Sequence, residues 1–479
     1  MNKMIEKESL YKPLQNNDVK LIAESAFRVL EKSGVLVFSK AARDFFRKQG
    51  ADVDDSSCTV KLSRGMVEDA IDSNPSSITL YSRDHKNDCL LEKNNVNFGT
   101  GGTAIYVLDP DSGERKPSSL EDVALNAKFV QELDNINLFT INVFPNEVEN
   151  KDDIDINRFY HSLINTTKHV MGGIYSLSGC KKVVRLAEMI AGSKESLQKE
   201  PFISFITLII SPFKIDGIYG DIACFVAEQN LPLVIPTEPI CGTTSPITLA
   251  GNVLTHIAET LAGITLVQSV RRGAPGICGS VGSISNLQTM DHVGGAVERA
   301  MINSAVSQMA QFFKIPLYST GGTTDAKEVD IQAAYESAMS SLLVAMSGAN
   351  YIHDIAGLME TDLTVSYEKL VVDNEILGMC RRVLDGITVN EDTLAADLII
   401  ENGPGKDFLA HEHTIKYMRN EFFNPLLANR ESRERYTKSS SSIARAKKKV
   451  QELRTKEDGL FLSKELKQEI CATFPGIHS

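Results

Sequence analysis

A histidine and an aspartate stand side by side in a short run that is otherwise largely apolar, YIHDIAG at 351–357. His353 can gain or lose a proton near neutral pH, and Asp354 can orient the imidazole or act as a base itself. Because a core strand would continue here with apolar residues, the polar pair predicts a functional site. We therefore take His353 and Asp354 as the candidate catalytic residues.

Glycine, threonine and acidic residues are concentrated in a second segment, STGGTTDAK at 319–327. Gly321 and Gly322 allow the backbone to approach a bulky ligand closely, although glycine also serves ordinary turns. Thr323 and Asp325 add a hydroxyl and a carboxylate to the same segment. These four residues are predicted to form part of a substrate-binding site.

Aromatic and acidic residues also lie near the ends of other apolar runs. Ring faces and a carboxylate together stabilise a quaternary ammonium, which donates no ordinary hydrogen bond. The chain has no Trp, so Tyr and Phe would have to form such a cage, while other aromatic residues pack the core. The further candidates for substrate binding are Phe98, Tyr106, Tyr175, Phe205, Glu238 and Tyr318.

Other kinds of site have less support. His256 lies in an apolar helical stretch, which favours a core or interface histidine with its hydrogen bonds made, and His292 is placed at the start of a helix. His411 and His413 lack a nearby third ligand, so no metal centre is expected. No phosphate-binding loop of Walker spacing is present. Eight dispersed cysteines without a CxxC pair indicate neither a disulfide scaffold nor a zinc knuckle.

Eight apolar or β-branched runs alternate with helical stretches and must position these residues. The alternation predicts an α/β protein with a parallel sheet, and eight pairs favour a closed (β/α)₈ TIM barrel over an open doubly wound sheet. The first run is the weakest, because 96–108 could instead form a hairpin that leads into the barrel. In a barrel, the active site is built at the carboxyl ends of the strands. The predicted strands are 96–102, 138–144, 169–175, 202–210, 231–240, 276–283, 315–322 and 350–357, and the helices between and after them include 119–133, 154–166, 178–191, 217–228, 249–270, 291–313, 328–346 and 366–384.

The pattern divides the chain into a helical N-terminal cap at 1–95, a catalytic barrel at 96–385 and a C-terminal helical extension at 386–479. Its 479 residues and 42% hydrophobic content are enough for a large core. A net charge of −12 disfavours nucleic acid as a partner. No leader segment and no apolar stretch of bilayer length is evident, so we expect a cytoplasmic protein without a membrane partner.

Three long segments resemble the trimethylamine methyltransferase superfamily. They begin VNFGTGGTAIYVLDPDSGERKPSSLEDV, YSTGGTTDAKEVDIQAAYESAMSSLL and GPGKDFLAHEHTIKYMRNEFF, and the second continues to Glu375. The resemblance covers nearly the whole chain. It implies a barrel enzyme that passes a methyl group to the cobalt of a separate corrinoid protein, and it implies a homo-oligomer.

The founding members of that superfamily carry pyrrolysine in the stretch that corresponds to 315–327. This chain has only ordinary residues there, IPLYSTGGTTDAK, and so resembles the non-pyrrolysine branch. The resemblance then implies a small quaternary amine as methyl donor, such as glycine betaine, proline betaine, carnitine or γ-butyrobetaine. No corrinoid-binding DxHxxG motif is present, so the chain is expected to bind no cofactor of its own and to receive cobalamin from the partner.

A quaternary amine leaves as a neutral tertiary amine when its methyl group is attacked, so the enzyme has mainly to position the cation. Since the positive charge on nitrogen falls during the reaction, we expect few carboxylates close to it. The amides of 321–324, His353 and Arg271 or Arg272 are candidates for binding a substrate carboxylate. Two alternatives stay open: a barrel lyase or hydrolase that uses His353 and Asp354 as acid and base, and a non-catalytic betaine-binding subunit.

Overall fold

The computed structural model describes residues 9–437, 440–457, 459 and 461–478. The chain forms a mixed α/β fold, so the predicted α/β class is confirmed. The N-terminal region is not purely helical, because five short strands accompany its three helices. These elements are α1 (Asn16–Lys32), β1 (Val35–Val37), α2 (Lys40–Lys48), β2 (Asp52–Asp54), β3 (Thr59–Lys61), α3 (Arg64–Ser73), β4 (Ile78–Leu80) and β5 (Cys89–Leu91).

Each of the eight predicted runs contains a strand, and shorter strands lie in the loops that follow. Of the segment 96–108, the last three residues (β7) do enter a hairpin, with β8, while its start (β6) joins the parallel strands. The strands are β6 (Asn97–Phe98), β7 (Tyr106–Leu108), β8 (Arg115–Pro117), β9 (Phe139–Thr140), β10 (Val170–Gly173), β11 (Ile203–Ile206), β12 (Ile209–Ile210), β13 (Lys214–Ile215), β14 (Leu233–Thr237), β15 (Ile240–Cys241), β16 (Gly276–Ser280), β17 (Ser283–Ser285), β18 (His292–Val293), β19 (Leu317–Thr320), β20 (Tyr351–His353), β21 (Leu358–Met359) and β22 (Thr364–Val365).

Eight of these strands form one continuous series of parallel pairs, in the order β9, β10, β11, β14, β16, β19, β20 and β6. A parallel bridge between Gly99 and Leu138 then joins the end of β6 to the start of β9. Each of the eight therefore has a parallel neighbour on both sides. Because all run in one direction, their carboxyl ends lie together at one end of the molecule.

The predicted helices after the strands are present, but 291–313 begins only at Val297, because His292 and Val293 form β18. Ser119, Ser176, Thr248 and Ser366 cap four helix starts with side chains that accept backbone N–H bonds. The helices are α4 (Leu120–Glu132), α5 (Lys151–Leu163), α6 (Leu177–Ala191), α7 (Lys194–Lys199), α8 (Gly217–Gln229), α9 (Leu249–Val270), α10 (Val297–Phe313), α11 (Ile331–Met346), α12 (Tyr367–Asp385), α13 (Glu391–Leu394), α14 (Ala396–Asn402), α15 (Glu412–Tyr417), α16 (Ser442–Thr455) and α17 (Lys464–Thr473).

Helix α9 packs closely against the parallel sheet. A Cβ atom added at Gly263 would come within 2.4 Å of Ile235 in β14, so glycine allows the helix to approach the strand. Within the described residues α9 is the one helix long and apolar enough to span a bilayer, but 83% of its most apolar window is buried in the protein. Its hydrophobicity is therefore accounted for by core packing.

Candidate active site

Tyr318, in the first half of β19, and His353, at the carboxyl end of β20, stack on one another. Their ring centroids are 3.7 Å apart and the planes are inclined by 14°. The Nε2 atom of His353 lies 2.7 Å from Oγ1 of Thr320, whose hydroxyl donates to the carbonyl of Ser280. Because that hydroxyl proton is already used, Nε2 of His353 is the donor to Thr320. Strand pairing and this bond fix the orientation of the imidazole.

Asp354 follows His353 directly, and its backbone is left-handed, with φ of +59°. The Oδ1 atom lies 2.7 Å from Nδ1 of His353, but neither atom has a well-aligned hydrogen-bond partner among the described residues. A non-glycine residue held in this conformation stores strain, which is typical of functional sites. The predicted pair is therefore in contact without forming an oriented acid–base hydrogen bond.

A buried guanidinium joins the loops that follow β19 and β20. Arg299 of α10 is 2% exposed, and it donates to Oδ2 of Asp362 at 3.0 Å and to Oγ1 of Thr323 at 3.2 Å. The same Nη2 atom is 3.9 Å from Oδ2 of Asp354. Burial alone would lower the pKa of Arg299, but the charges of Asp362, Asp354 and Glu238 raise it. Arg299 thus remains charged and holds two carboxylates.

Asp362 lies in a turn with unusual backbone geometry. Glu360, Thr361 and Asp362 have φ values of +52°, +55° and +70°. Three consecutive non-glycine residues in this region are unfavourable and need outside support, which the bond from Arg299 to Asp362 supplies. Burial raises the pKa of Asp362, with Arg299 opposing that effect.

Glu238 follows β14 and has its carboxylate near His292, with Oε1 3.6 Å from Nε2. That His292 nitrogen hydrogen bonds at 2.8 Å to Ser283, whose own hydroxyl donates to the carbonyl of Val293. Burial and then the charge of Arg299 lower the pKa of His292 to about 4, so the imidazole is neutral at pH 7. Glu238 consequently has no cationic partner of its own.

The surroundings of Glu238 are mixed. Of its side-chain surface, 38% is open to solvent, yet protein surrounds it closely enough to raise its pKa to about 7. Arg299 opposes this shift, while Asp362 and Asp354 add to it. The side chains that meet here, which we call the cluster, are Glu238, His292, Arg299, Tyr318, Thr320, His353, Asp354 and Asp362. Since Glu238 is solvent-accessible and no hydrogen bond from a described residue reaches its carboxylate, it is the accessible acid of the cluster.

The other predicted residues of the segment 319–327 brace the loops. Asp325 accepts N–H bonds from Gly294 and Gly295, at 2.7 and 3.0 Å, and the hydroxyl of Thr361. Thr323 donates to the carbonyl of Gly294.

Two glycines of the same segment have their amides in use. Gly321 donates to the carbonyl of His353 and Gly322 to the hydroxyl of Ser340. Gly322 has φ of +73°, and a Cβ atom there would be 2.5 Å from the backbone of Ile355. These two amides are not available for a substrate carboxylate.

The predicted aromatic residues are not brought together. Phe98 and Phe205 are fully buried, against Arg381 of α12 and Phe159 of α5. Tyr106 lies under Arg115 in the hairpin β7–β8. Tyr175 is 37% exposed after β10 and meets Phe144 edge to face at 5.5 Å. Of the six candidates in that group, Tyr318 and Glu238 lie in the cluster with His353, and Tyr175 lies at the same end of the strands.

Four residues of the cluster are absent from the predicted site: His292, Arg299, Thr320 and Asp362. The sequence does contain a sign that Arg299 is buried at a site. It is the one charged residue on a face of α10 that also carries Ile302, Asn303 and Val306, and all four are buried. A buried charge on such a face needs a partner. The prediction that His292 begins a helix is wrong, because this residue lies in β18 beside Glu238.

Three other expectations concern residues outside the cluster. Arg272 pairs with Asp69, and Arg271 contacts the carbonyl of Glu228 beyond the C-terminal end of α9, so both are away from the carboxyl ends of the strands. His256 is fully buried, as expected, and burial lowers its pKa to about 3, but its ring nitrogens lack well-aligned partners in the described chain. No group of three or more His, Cys, Asp or Glu residues suited to a metal is found among the described residues.

A family model described as trimethylamine methyltransferase (MTTB) matches residues 1–472. A trimethylamine methyltransferase of Desulfitobacterium hafniense is 33% identical over 398 residues, which cover 83% of this chain and 80% of the relative. A glycine betaine methyltransferase from the same species is 31% identical over 431 residues, covering 89% of both chains. The two identities are too similar to distinguish the substrates named for these relatives.

The solved structure of a monomethylamine methyltransferase from Methanosarcina barkeri is also similar. It aligns with 94% of this chain and 96% of its own length, with a TM-score of 0.50 and 13% sequence identity. At this identity, the likeness supports a common fold and no more.

Proposed function

Because the chain belongs to the trimethylamine methyltransferase family and is a methyltransferase, we propose that it moves a methyl group from a small quaternary amine to the Co(I) of a separate corrinoid protein. The corrinoid belongs to the partner and supplies the nucleophile that accepts the methyl group. The residues of this chain bind the amine, orient one methyl group outward and exclude water.

The observation that carries the proposal is the charge of the cluster. Glu238, Asp354 and Asp362 surround one guanidinium, that of Arg299, while His292 is neutral. Asp354 and Asp362 are held by Arg299, which leaves Glu238 to attract a cation. Few carboxylates are expected near the substrate nitrogen. The cluster has three, of which Asp354 and Asp362 are neutralised by Arg299 and only Glu238 is accessible. A single counter-charge suits a reaction in which the positive charge disappears.

The residues at 315–327 support a quaternary rather than a tertiary amine. This stretch supplies Tyr318 and Thr320 to the cluster and Thr323 to the bond with Arg299. It is where the founding members carry pyrrolysine, and here every residue is ordinary. A quaternary nitrogen is already charged and departs neutral without a proton, so positioning and electrostatics suffice. The glycine betaine methyltransferase among the relatives agrees with this choice.

The stacked rings of Tyr318 and His353 supply the wall of the site. Aromatic faces stabilise a methylated ammonium. The stacked rings are each 3% exposed, and Tyr175, across the ring of strands, adds an exposed aromatic face. His353 is held by Thr320 and therefore acts as a fixed surface. The missing hydrogen bond between His353 and Asp354 gives no support to an acid–base lyase or hydrolase.

The test is anaerobic incubation with cob(I)alamin, or with the cognate corrinoid protein, and a panel of quaternary amines. The panel contains glycine betaine, proline betaine, carnitine, γ-butyrobetaine, choline and tetramethylammonium, with trimethylamine as the tertiary control. Methyl transfer is followed by the change in corrinoid absorbance. Transfer from at least one quaternary amine is expected, and trimethylamine should be inert. Silence of every quaternary amine, with the corrinoid protein supplied, would reject the proposal, and binding without methyl loss would favour a non-catalytic subunit.

The same proposal includes the architecture and the compartment. The closed set of parallel pairings supports a (β/α)₈ barrel at 96–385, with an N-terminal cap at 1–95 and a C-terminal extension at 386–479. The eight cysteines are all unpaired, which suits the reducing cytoplasm. A barrel places the corrinoid partner over the carboxyl ends of the strands, where Glu238 and Tyr175 are accessible.

A further inference from the structure

The segment 387–421, which we call the arm, leaves the end of α12 and returns to it. Arg382 closes its base, donating Nη1 to the carbonyl of Gly386 at 2.6 Å and Nε to the carbonyl of Glu421 at 3.1 Å. Beyond the base, Phe423 packs beside Gly378, and Leu427 and Ala428 donate to Glu375. The arm is therefore an excursion of the chain outside the main body.

The arm exposes apolar side chains instead of burying them. Asn402 is the single buried residue from 387 to 421, all of which the structure describes. Ile387 and Leu409 are 84% and 80% exposed. The most exposed of the large apolar side chains are Ile387, Val389, Ile400, Leu409 and Ile415, followed by Leu394, Ile399 and Met418.

An arm of this kind cannot hold its conformation alone. Its helices α13, α14 and α15 have four, seven and six residues, too few to be stable in water without packing. Since none of their apolar side chains is fully buried, and the bonds from Lys416 and Tyr417 to Asp392 are exposed, little offsets the backbone entropy lost on ordering them. Nine large apolar side chains of the arm are 39–84% exposed, which is more than the single scattered apolar residues that a monomer surface normally carries. The ordered arm therefore requires a covering surface.

A second uncovered apolar face lies on helix α11. Ile331, Tyr335 and Met339 recur every four residues along its outer side and are 83%, 59% and 58% exposed. The one charged residue of α11, Glu336, is turned to the loop after β19, where it accepts from the hydroxyl of Thr324 and the amide of Asp325. Helices in the outer layer of an α/β protein normally present polar residues to solvent. The exposed apolar residues on this face of α11 therefore indicate that another protein surface packs on it.

We propose that the arm of one copy packs on the α11 face of a second copy, and that the second copy does the same in return. Every copy carries both surfaces, so one two-fold operation covers all four in a dimer. Each copy contributes nine exposed large apolar side chains from its arm and three from its α11 face, and these can supply part of the roughly 800 Å² that one partner buries in a stable interface. Because α11 has no charged side chain on its outer face, it does not repel the acidic arm, which has seven acidic and three basic residues.

The position of the arm argues against the corrinoid protein as its occupant. Helix α12 starts next to the carboxyl end of β20 and runs 19 residues to the base of the arm. At 1.5 Å per residue this is roughly 28 Å, so the arm starts at the opposite end from Glu238 and His353. A methyl acceptor must reach the site end instead.

The experiment measures the mass of the full chain by size-exclusion chromatography with light scattering, from about 1 to 50 μM. We expect the unmodified protein to be a dimer, or a larger assembly built from dimers. Ile400→Asp with Leu409→Asp disrupts the arm, and Tyr335→Asp with Met339→Asp disrupts the α11 face. Each pair should raise the dissociation constant at least 100-fold. Leu21→Asp is the matched control, because Leu21 is 67% exposed on α1, outside both surfaces, and should leave the mass unchanged.

Far-ultraviolet circular dichroism and thermal melting separate dissociation from unfolding, since all four replaced side chains are exposed in the single chain. Several outcomes would overturn the inference. A monomer at 50 μM is one, and continued assembly of the α11 variant while the arm variant dissociates is another. A monomeric protein whose arm variant loses binding to the corrinoid protein would assign the arm to that partner instead.

Discussion

The candidate site and the arm depart from ordinary protein chemistry in opposite directions. In the site, Arg299, Asp354 and His353 are charged or polar and are 2–3% exposed. In the arm, Ile387 and Leu409 are apolar and at least 80% exposed. A folded chain normally places these two classes of residue the other way round.

The two regions differ in where their side chains find interaction partners. The site is largely completed within one chain, because Arg299 pairs with Asp362 and Thr323 while Thr320 holds His353. Glu238 is the group left for a ligand. The apolar side chains of the arm have no partner surface within the described chain, and by our inference that surface belongs to another copy. Buried charged and polar side chains inside the fold indicate a functional site. Exposed apolar side chains on the surface indicate an interface with another molecule.

The largest effect is expected from Arg299→Met. Removing the guanidinium leaves Asp354 and Asp362 buried without their counter-charge, which typically costs about 3–5 kcal/mol of unfolding free energy. Methyl transfer should fall below detection, because both loops lose their common anchor. Urea unfolding followed by circular dichroism measures the first effect, and corrinoid absorbance the second.

Arg115→Met is the matched control, since Arg115 pairs with Glu360 but is 45% exposed at its side chain. Exposed ion pairs contribute at most about 1 kcal/mol. Equal losses for the two variants would remove the distinction between a completed interior site and ordinary surface pairing.

His353→Ala should lower the rate of methyl transfer by about 100-fold, as expected for a misplaced substrate. Because the imidazole is 3% exposed, its loss also leaves a cavity and should cost about 2–3 kcal/mol of unfolding free energy. Tyr318→Phe keeps the stacked ring and removes only its hydroxyl, so the rate of methyl transfer should fall less in this variant than in His353→Ala. The unfolding midpoint is measured alongside kcat. Unchanged rates in both variants would exclude the stacked pair from the site.

Much of this comparison follows from the sequence, but not all of it. Periodicity locates all eight parallel strands, and the polar break at His353 and Asp354 marks a true strand end. The partners of this pair come from distant segments, because Arg299 reaches in from α10 and Asp362 from a strained turn. Contacts between residues from distant segments depend on tertiary packing, so the local sequence around each residue predicts them only weakly.

The aromatic candidates show the same limit. A ring next to a strand end can point to either face of the sheet, since side chains alternate along a strand. Phe98 and Phe205 turn toward the helices, whereas Tyr318 turns toward His353. The sequence predicts where each strand ends but does not fix which face a given ring occupies when the run is short.

Glu238→Gln tests the one accessible acid. The variant should raise KM for a quaternary amine roughly tenfold, the loss of about 1.4 kcal/mol of attraction, while kcat changes little. In the unmodified enzyme, KM should rise as the pH falls through about 7, because protonation removes the charge of Glu238. The glutamine variant has no charge to lose, so its KM should be flat from pH 6 to 8. A parallel pH dependence in both proteins would assign the titration to another group.

The smallest effect on catalysis is expected from the arm. Ile400→Asp with Leu409→Asp should alter kcat and KM less than about twofold, because the base of the arm lies roughly 28 Å of helix away from the site. The same variant should have the largest effect on mass, so assembly and catalysis separate in one protein. A large fall in kcat in the monomeric variant would show that the second copy contributes to the site. In that case the two regions form one functional unit, and the assay should be repeated as a function of protein concentration, where activity would follow the dimer fraction.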